Sequence, residues 1–252
     1  MIPMTRRRAF LTHLAISALI VGALVACFVL FLFPMPFFVE NGGWQGIRII
    51  AAVDATIGPL LTLIIYNPKK SRGKLLFDLV TIGLIQLSAL GAGMWITYAA
   101  RTEAVLFVDG NFYSIDTQTG SSLGPEYAAL LEKSPGRPFY GYIDLPDAPE
   151  PRQKMRLLAL KSNSPLFRMV DLLRPLSVEA KNDFEATDRK IGKLAADDAT
   201  RGKIEEWAAR RGAGVDDYYF VPTYCTYGTI LLALSKRDMT VAGNIRGVSL
   251  KP

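Results

Sequence analysis

The sequence predicts a membrane-embedded bundle of three helices followed by a soluble α+β domain with an antiparallel sheet. Three observations predict it. Long apolar runs crowd residues 1–100, acids are almost absent there, and residues 101–252 carry ordinary polar patterning with turn and strand signals. Half of the 252 residues are hydrophobic, and of the 23 acids only Glu40, Asp54 and Asp78 fall in the first hundred. Eight of the 29 bases lie in that same stretch, so +5 of the formal +6 charge sits beside apolar segments. A basic excess placed there is no nucleic-acid footprint. One histidine and two distant cysteines exclude a zinc ribbon, a CxxC redox site and a disulfide scaffold.

The first expected span, Ala9–Phe33, is an uncharged run rich in Leu, Val, Ala and Phe, long enough to cross as a helix. The second, Gly46–Tyr66, is interrupted by Arg48 and Asp54. The third, Leu75–Tyr98, has Asp78 near its start and Gln86 in its middle. Together they make residues 1–100 a transmembrane domain. Arg6–Arg8 precede the first span, and Lys69, Lys70, Arg72 and Lys74 fill the connection between the second and third, while 34–45 holds no Lys or Arg. The positive-inside rule then puts the N-terminus and the 67–74 loop in the cytoplasm. The 34–45 loop and everything after residue 100 lie outside, in the periplasm of a Gram-negative cell. Leu24-Val25-Ala26-Cys27 fits a lipoprotein box and Arg7-Arg8-Ala9-Phe10-Leu11 a twin-arginine pattern. The chain stays apolar through Phe33 and two more spans follow, so neither is read as an export signal.

A helical rise of about 1.5 Å per residue places the polar groups by depth. His13 and Asp78 each fall 20 residues below the outer end of their span, roughly 30 Å down, near the cytoplasmic interface, where they can pair or simply snorkel. Asp54 falls eight residues into span two, about 12 Å deep, level with Ser88–Leu90 and the small residues Gly91 and Gly93. An ionisable group at that depth must face the bundle or a partner. It is read either as a structural hydrogen bond to a neighbouring helix or as a functional group. Pro59 lacks the amide that would bond the Ala55 carbonyl, so Gly58-Pro59 predicts a kink. Small residues at Ala51, Ala55, Ala89 and Gly93 allow close helix approach. They suit packing among the three spans, or a groove that admits a helix from another protein.

Residues 101–252 are expected to form one domain with its own core. Ala104–Val108 and Phe112–Ile115 flank Asp109-Gly110-Asn111, a hairpin signal. Met155–Leu160 reads as a strand, and Pro146, Pro149 and Pro151 as a loop. Pro165–Leu173 has an apolar face at helical spacing (Leu166, Val170, Leu173). Ser177–Gly212 reads as one or two exposed helices, the last with Thr200 as cap and Gly212 as stop. Tyr218–Val221, Thr226–Leu234 and Thr240–Ile245 are strands again, giving an α+β order.

The chemistry search here excludes more than it finds. Without a histidine beyond His13 there is no serine triad, no histidine ligand set and no imidazole base, and no phosphate-cradling glycine spacing occurs. Asp197-Asp198 and Asp216-Asp217 read as helix or turn caps, ahead of the alternative of weak divalent-ion binding. Tyr218, Tyr219, Phe220, Tyr224 and Tyr227 read as strand packing or as a protein-binding face. With Cys27 in the membrane and Cys225 outside, no intramolecular disulfide is expected. Nor is an enzyme, a cofactor or a metal.

Several stretches carry a resemblance. Phe33-Pro34-Met35-Pro36 follows span one. Asp54-Ala55-Thr56-Ile57-Gly58-Pro59-Leu60-Leu61-Thr62-Leu63 continues to Tyr66-Asn67-Pro68-Lys69-Lys70. Phe77-Asp78-Leu79, Gln86-Leu87-Ser88-Ala89-Leu90 and the junction from Ala100-Arg101 to Phe107-Val108-Asp109 complete the set. With these the chain, over about residues 6–115, resembles the type IV pilin accessory proteins of the inner membrane. The resemblance implies a non-catalytic, chaperone-like partner of a type IV pilin, assisting its stability, assembly or surface display before it leaves the inner membrane. The expected partners are the pilin's membrane helix and periplasmic head, the bilayer, and other pilus assembly components. The residues expected to matter are Asp54, Gly58, Pro59, Arg48, Gln86, His13 and Asp78. The competing expectation is a subunit of a proton- or ion-coupled membrane complex using Asp54 and Gln86, which would need further helices to enclose a pore.

Overall fold

The computed structural model describes residues 5–32, 35–67, 69–134, 136–187 and 191–251. It divides into two compact units, Met1–Arg101 and Thr102–Pro252. Phe33 and Pro34, which end the expected first span and open the Phe33-Pro34-Met35-Pro36 stretch, lie outside the described residues, as does Pro68.

The first unit is helical throughout. α1 (Arg6–Cys27) starts where Thr5 Oγ1 accepts the Arg8 amide at 3.3 Å, and it runs into a π-helical turn, Phe28–Leu32. A short α2 (Phe37–Glu40) leads to α3 (Gly43–Ala52), a second π-helical stretch (Val53–Ile57), α4 (Gly58–Ile65) and the long α5 (Arg72–Ala99). Among the described residues two helices, Arg6–Phe31 and Arg72–Ala99, are long and apolar enough to cross a membrane. Their outward faces are large and apolar: Leu19, Phe31, Phe77, Leu84, Leu87 and Trp95 all lie more than half exposed. In a water-soluble unit such a surface is a liability. Against lipid chains it is the ordinary exterior.

The expected second span takes a different form. Gly43–Ile65 is helical, but the π stretch in its middle divides it into two α segments. Its approach also differs from an outlying loop. Phe37 and Phe38 are fully buried, and Phe38 packs with Phe28, Ile47 and Ile50. The apolar Phe37-Phe38 pair gains more from helix contacts than from water, so this connection folds into the unit.

The second unit is built on a seven-stranded sheet. Its strands are β1 (Thr102–Val108), β2 (Asn111–Asp116), β3 (Phe139–Ile143), β4 (Leu173–Pro175), β5 (Tyr218–Tyr224), β6 (Thr229–Ser235) and β7 (Val241–Ile245), in the order β4-β3-β1-β2-β5-β6-β7. Asp109 and Gly110 both take positive φ, 55° and 86°, closing the expected hairpin. The sheet is mixed where an antiparallel one is expected, for β1 pairs β3 and β2 pairs β5 in parallel. Both parallel pairs follow long connections that carry helices: α6 (Thr117–Ser121) and α7 (Pro125–Glu132) before β3, then α9 (Lys181–Thr187), α10 (Ile191–Leu194) and α11 (Asp198–Ala209) before β5.

β1 is buried on both faces, which explains its unbroken apolar run. Ala104, Leu106 and Val108 meet Tyr127 and Leu131 of α7. On the other face Phe107 stacks on Phe184 of α9 with ring centroids 3.8 Å apart. A second core gathers Phe220, Leu231 and Ile245 beneath Ile204 of α11.

The expected strand at Met155–Leu160 is instead part of α8 (Pro149–Lys161). Pro149 and Pro151 open that helix, because a first turn needs no amide there, and the run from Arg152 to Lys161 is almost entirely of strong helix formers. Leu166 and Val170 lie in two 3₁₀ turns and not in one helix. Asp197, not Thr200, caps α11: its carboxylate accepts the Thr200 amide at 2.7 Å, while the Thr200 hydroxyl accepts the Ser249 amide. Gly212, at φ 67°, follows that helix as expected. Asp217 caps a turn by accepting the Gly214 amide at 2.7 Å.

A candidate site around Asp54

Pro59 shapes the middle segment. Lacking an amide, it cannot continue the α-helical ladder. The chain responds with the π stretch immediately before it: the Gly58 amide donates to the Val53 carbonyl, one residue further back than an α-helix allows. The expected kink is therefore a local widening of the helix, a device common at functional sites. Asp54 lies on this widened turn.

α1 packs chiefly on α4 and the π stretch, and α5 chiefly on α3. The space left between α1 and α5 is a cavity of about 210 Å³. His13, Ile16, Ser17 and Ile20 of α1 line it, with Gly83, Gln86, Leu87 and Leu90 of α5 and Asp54 of the π stretch. Asp54 is 5% exposed, and neither carboxylate oxygen receives a hydrogen bond from any described residue. Buried carboxylates are almost always satisfied.

Close backbone approach holds the middle segment against α5. Gly58 lies where any side chain would overlap the Gln86 amide, Gly46 where one would meet Thr97 Oγ1, and a Cβ on Gly93 would come within 2.6 Å of Ile50. Thr97 is buried and donates to the Gly93 carbonyl at 2.8 Å. His13 Nδ1 and Thr62 Oγ1 share a 2.6 Å hydrogen bond that ties α1 to α4.

Of the seven residues singled out in the sequence, His13, Asp54 and Gln86 meet at this cavity, and Gly58 and Pro59 build it. The other two lie apart. Of the two readings open for His13 and Asp78, the pairing does not form: Asp78 instead accepts Lys70 Nζ at 2.5 Å, and the same ammonium donates to the Ile65 carbonyl at the end of α4. Asp78 thus fastens the connection into α5. Arg48 is exposed on α3 and does not line the cavity.

Depth counting misplaced His13 relative to Asp54 because it began both spans at one level, whereas the chain between them is folded inside the unit. Of the depth neighbours expected for Asp54, Leu90 lines the same cavity, whereas Ser88 does not and donates to the Leu84 carbonyl. Ser17, Thr62 and Gly83 were not singled out. Signals for two of them existed: Ser17 follows His13 by four residues, and Gly83, Gln86, Leu87 and Leu90 have the spacing of one helix face.

In the second unit Tyr219 and Phe220 are core residues, whereas Tyr224 and Tyr227 are exposed. The aromatic cluster thus divides between packing and surface. Among the described residues neither Cys27, which is exposed, nor Cys225, which is half-buried, is in a disulfide.

Comparison with known proteins finds three similar chains from Dichelobacter nodosus. A fimbrial assembly protein of serogroups C1 and C2 is 38% identical over 98 residues, covering 39% of this chain and 72% of that relative. The fimbrial assembly protein of serogroup I is 38% identical over 98 residues, and that of serogroup E1 35% identical over 95. The match spans 37% of the length of each of these two. No protein-family profile and no solved structure matches the chain.

Proposed function

Because the chain belongs to the family of fimbrial assembly proteins, we propose that it is a non-enzymatic accessory protein of the bacterial inner membrane, serving the assembly of a type IV pilin. In this reading α1, the Gly43–Ile65 segment and α5 all cross the bilayer. Arg6–Arg8 and the Lys69–Lys74 connection stay in the cytoplasm, and residues 102–252 stand in the periplasm. A pilin awaiting assembly has the matching layout, an apolar helix in the bilayer and a globular head outside. The cleft between α1 and α5 holds the helix, the periplasmic domain meets the head, and the subunit is protected from aggregation and proteolysis until it is built into the fibre.

The observation that carries this reading is the cleft itself: a buried carboxylate that receives no hydrogen bond from any described residue, between two helices whose outer faces are apolar. Deleting the gene in its native bacterium should lower both surface fibre number and the steady-state amount of pilin, and Asp54→Leu should reproduce the defect. Normal fibre counts and pilin abundance in the deletion strain would reject the assignment.

A further inference from the structure

We propose that the α1–α5 cleft receives a single cationic group carried on an otherwise apolar transmembrane helix, with Asp54 as its counter-ion. The inference deepens the pilin reading, on which it rests for the partner's identity, and takes the chemistry of that partner from the cleft.

Three observations give the charge of this occupant. Both oxygens of a 95%-buried carboxylate lack any hydrogen bond, so the group that satisfies them is not supplied by the described chain. The polar residues around it leave its oxygens without a hydrogen bond: His13, the one base of this chain lining the cavity, is a charge neighbour of Asp54 but gives its Nδ1 to Thr62, and neither Ser17 nor Gln86 donates to it. Arg48, the one base within the middle segment, is exposed on α3 and lines no part of the cleft. The complement that fits two open carboxylate oxygens is therefore positive and comes from outside.

The lips of the cleft say how it arrives. Ile16, Ile20 and Leu87 are 53%, 42% and 65% exposed and demand an apolar cover, which a water-borne ion cannot provide. An apolar helix bearing one ammonium or guanidinium group supplies the cover and the charge together. Space is available at two scales. The cavity of about 210 Å³ holds a side-chain head group, and a side chain added at Gly83 would enter open space, with no atom within 4 Å. That gap lets another backbone approach closely, the usual role of small residues between membrane helices.

The test uses the full chain in phosphatidylcholine vesicles with synthetic 24-residue Leu/Ala helices, one carrying a central Lys and one a central Leu. Association is read by energy transfer against protein-free vesicles. The wild-type protein should prefer the Lys helix by about tenfold or more, the scale of a buried charge-assisted hydrogen bond. Asp54→Asn should erase the preference and Asp54→Glu should retain it. Gly83→Leu, which fills the cleft but keeps the carboxylate, should weaken binding of both helices. Equal binding of the two helices by wild type, or a preference that survives Asp54→Asn, overturns the proposal. No pilin is present, so the result is independent of the fibre counts. A Lys preference with normal fibres in the deletion strain would sink the pilin reading alone, and lost fibres without a Lys preference would sink this inference alone.

Discussion

An unsatisfied buried carboxylate is expensive, and Asp54 carries that cost beside a contact the sequence protects. Gly58 is the clearest protection, since its missing side chain is the space Gln86 occupies. Gly58→Val should therefore overpack the α4–α5 contact and lower stability by about 1–3 kcal/mol. Thermal unfolding of the detergent-solubilised chain checks this, and an unchanged midpoint would mean that the contact is slack. Phe184 plays the corresponding part in the second unit. It is fully buried, stacked on Phe107 and tilted against Phe112 and Tyr219. Phe184→Ala should cost about 3–5 kcal/mol in denaturant unfolding followed through the near-ultraviolet signal of this unit. Asp197 gives a pH handle. Hydrogen bonds from the Thr200 hydroxyl and amide hold its carboxyl below the usual carboxylate range. A lowered folded pKa means its contribution is present above the unfolded value near 3.8 and is lost as pH falls through the folded one. Acid should thus loosen α11, and Asp197→Ala should remove that part of the acid-dependent loss. Acid unfolding profiles of the two proteins that superimpose would contradict it.

At the scale of the element, the π stretch decides where Asp54 lies. Pro59→Ala restores an amide and removes the obstacle to a regular α-helix through 53–59. The substitution should leave the protein abundant and turn the carboxylate out of the cleft, lowering fibre number as far as Asp54→Asn does. Fibre counts in the two strains compare them, and normal piliation with Pro59→Ala would separate the widened helix from function. These elements also mark what a sequence reveals. The hairpin at Asp109-Gly110, the breaker at Pro59 and the strands after Tyr218 depend on local chemistry and were legible. α8 was misread because its leucines, taken without the prolines that open the helix, pass for a strand. β3 went unread because five residues after Pro138 give too short a pattern. Its parallel pairing with β1 depends on a crossover that no local rule encodes. In the helical unit the polar residues were visible one by one, but their grouping was not. His13 meets Asp54 and not Asp78 because the Phe37–Gly43 connection is folded inside, a tertiary fact.

For the whole molecule, the account is a helical unit with apolar outer faces joined to a mixed-sheet unit with its own buried core. If the proposed topology holds, an alkaline phosphatase fusion after Pro252 should be active and one within Lys69–Lys74 inactive. The reverse pattern would invert the bundle and put the second unit in the cytoplasm. The most direct test of the central claim is a photo-crosslinking residue placed at Gly83 of the intact protein in its native bacterium. Irradiation should yield an adduct that mass spectrometry maps to the membrane helix of a pilin subunit, and the adduct should disappear with Asp54→Asn. Crosslinks to lipid alone, at normal levels of both proteins, would contradict the idea that this cleft carries another chain's helix.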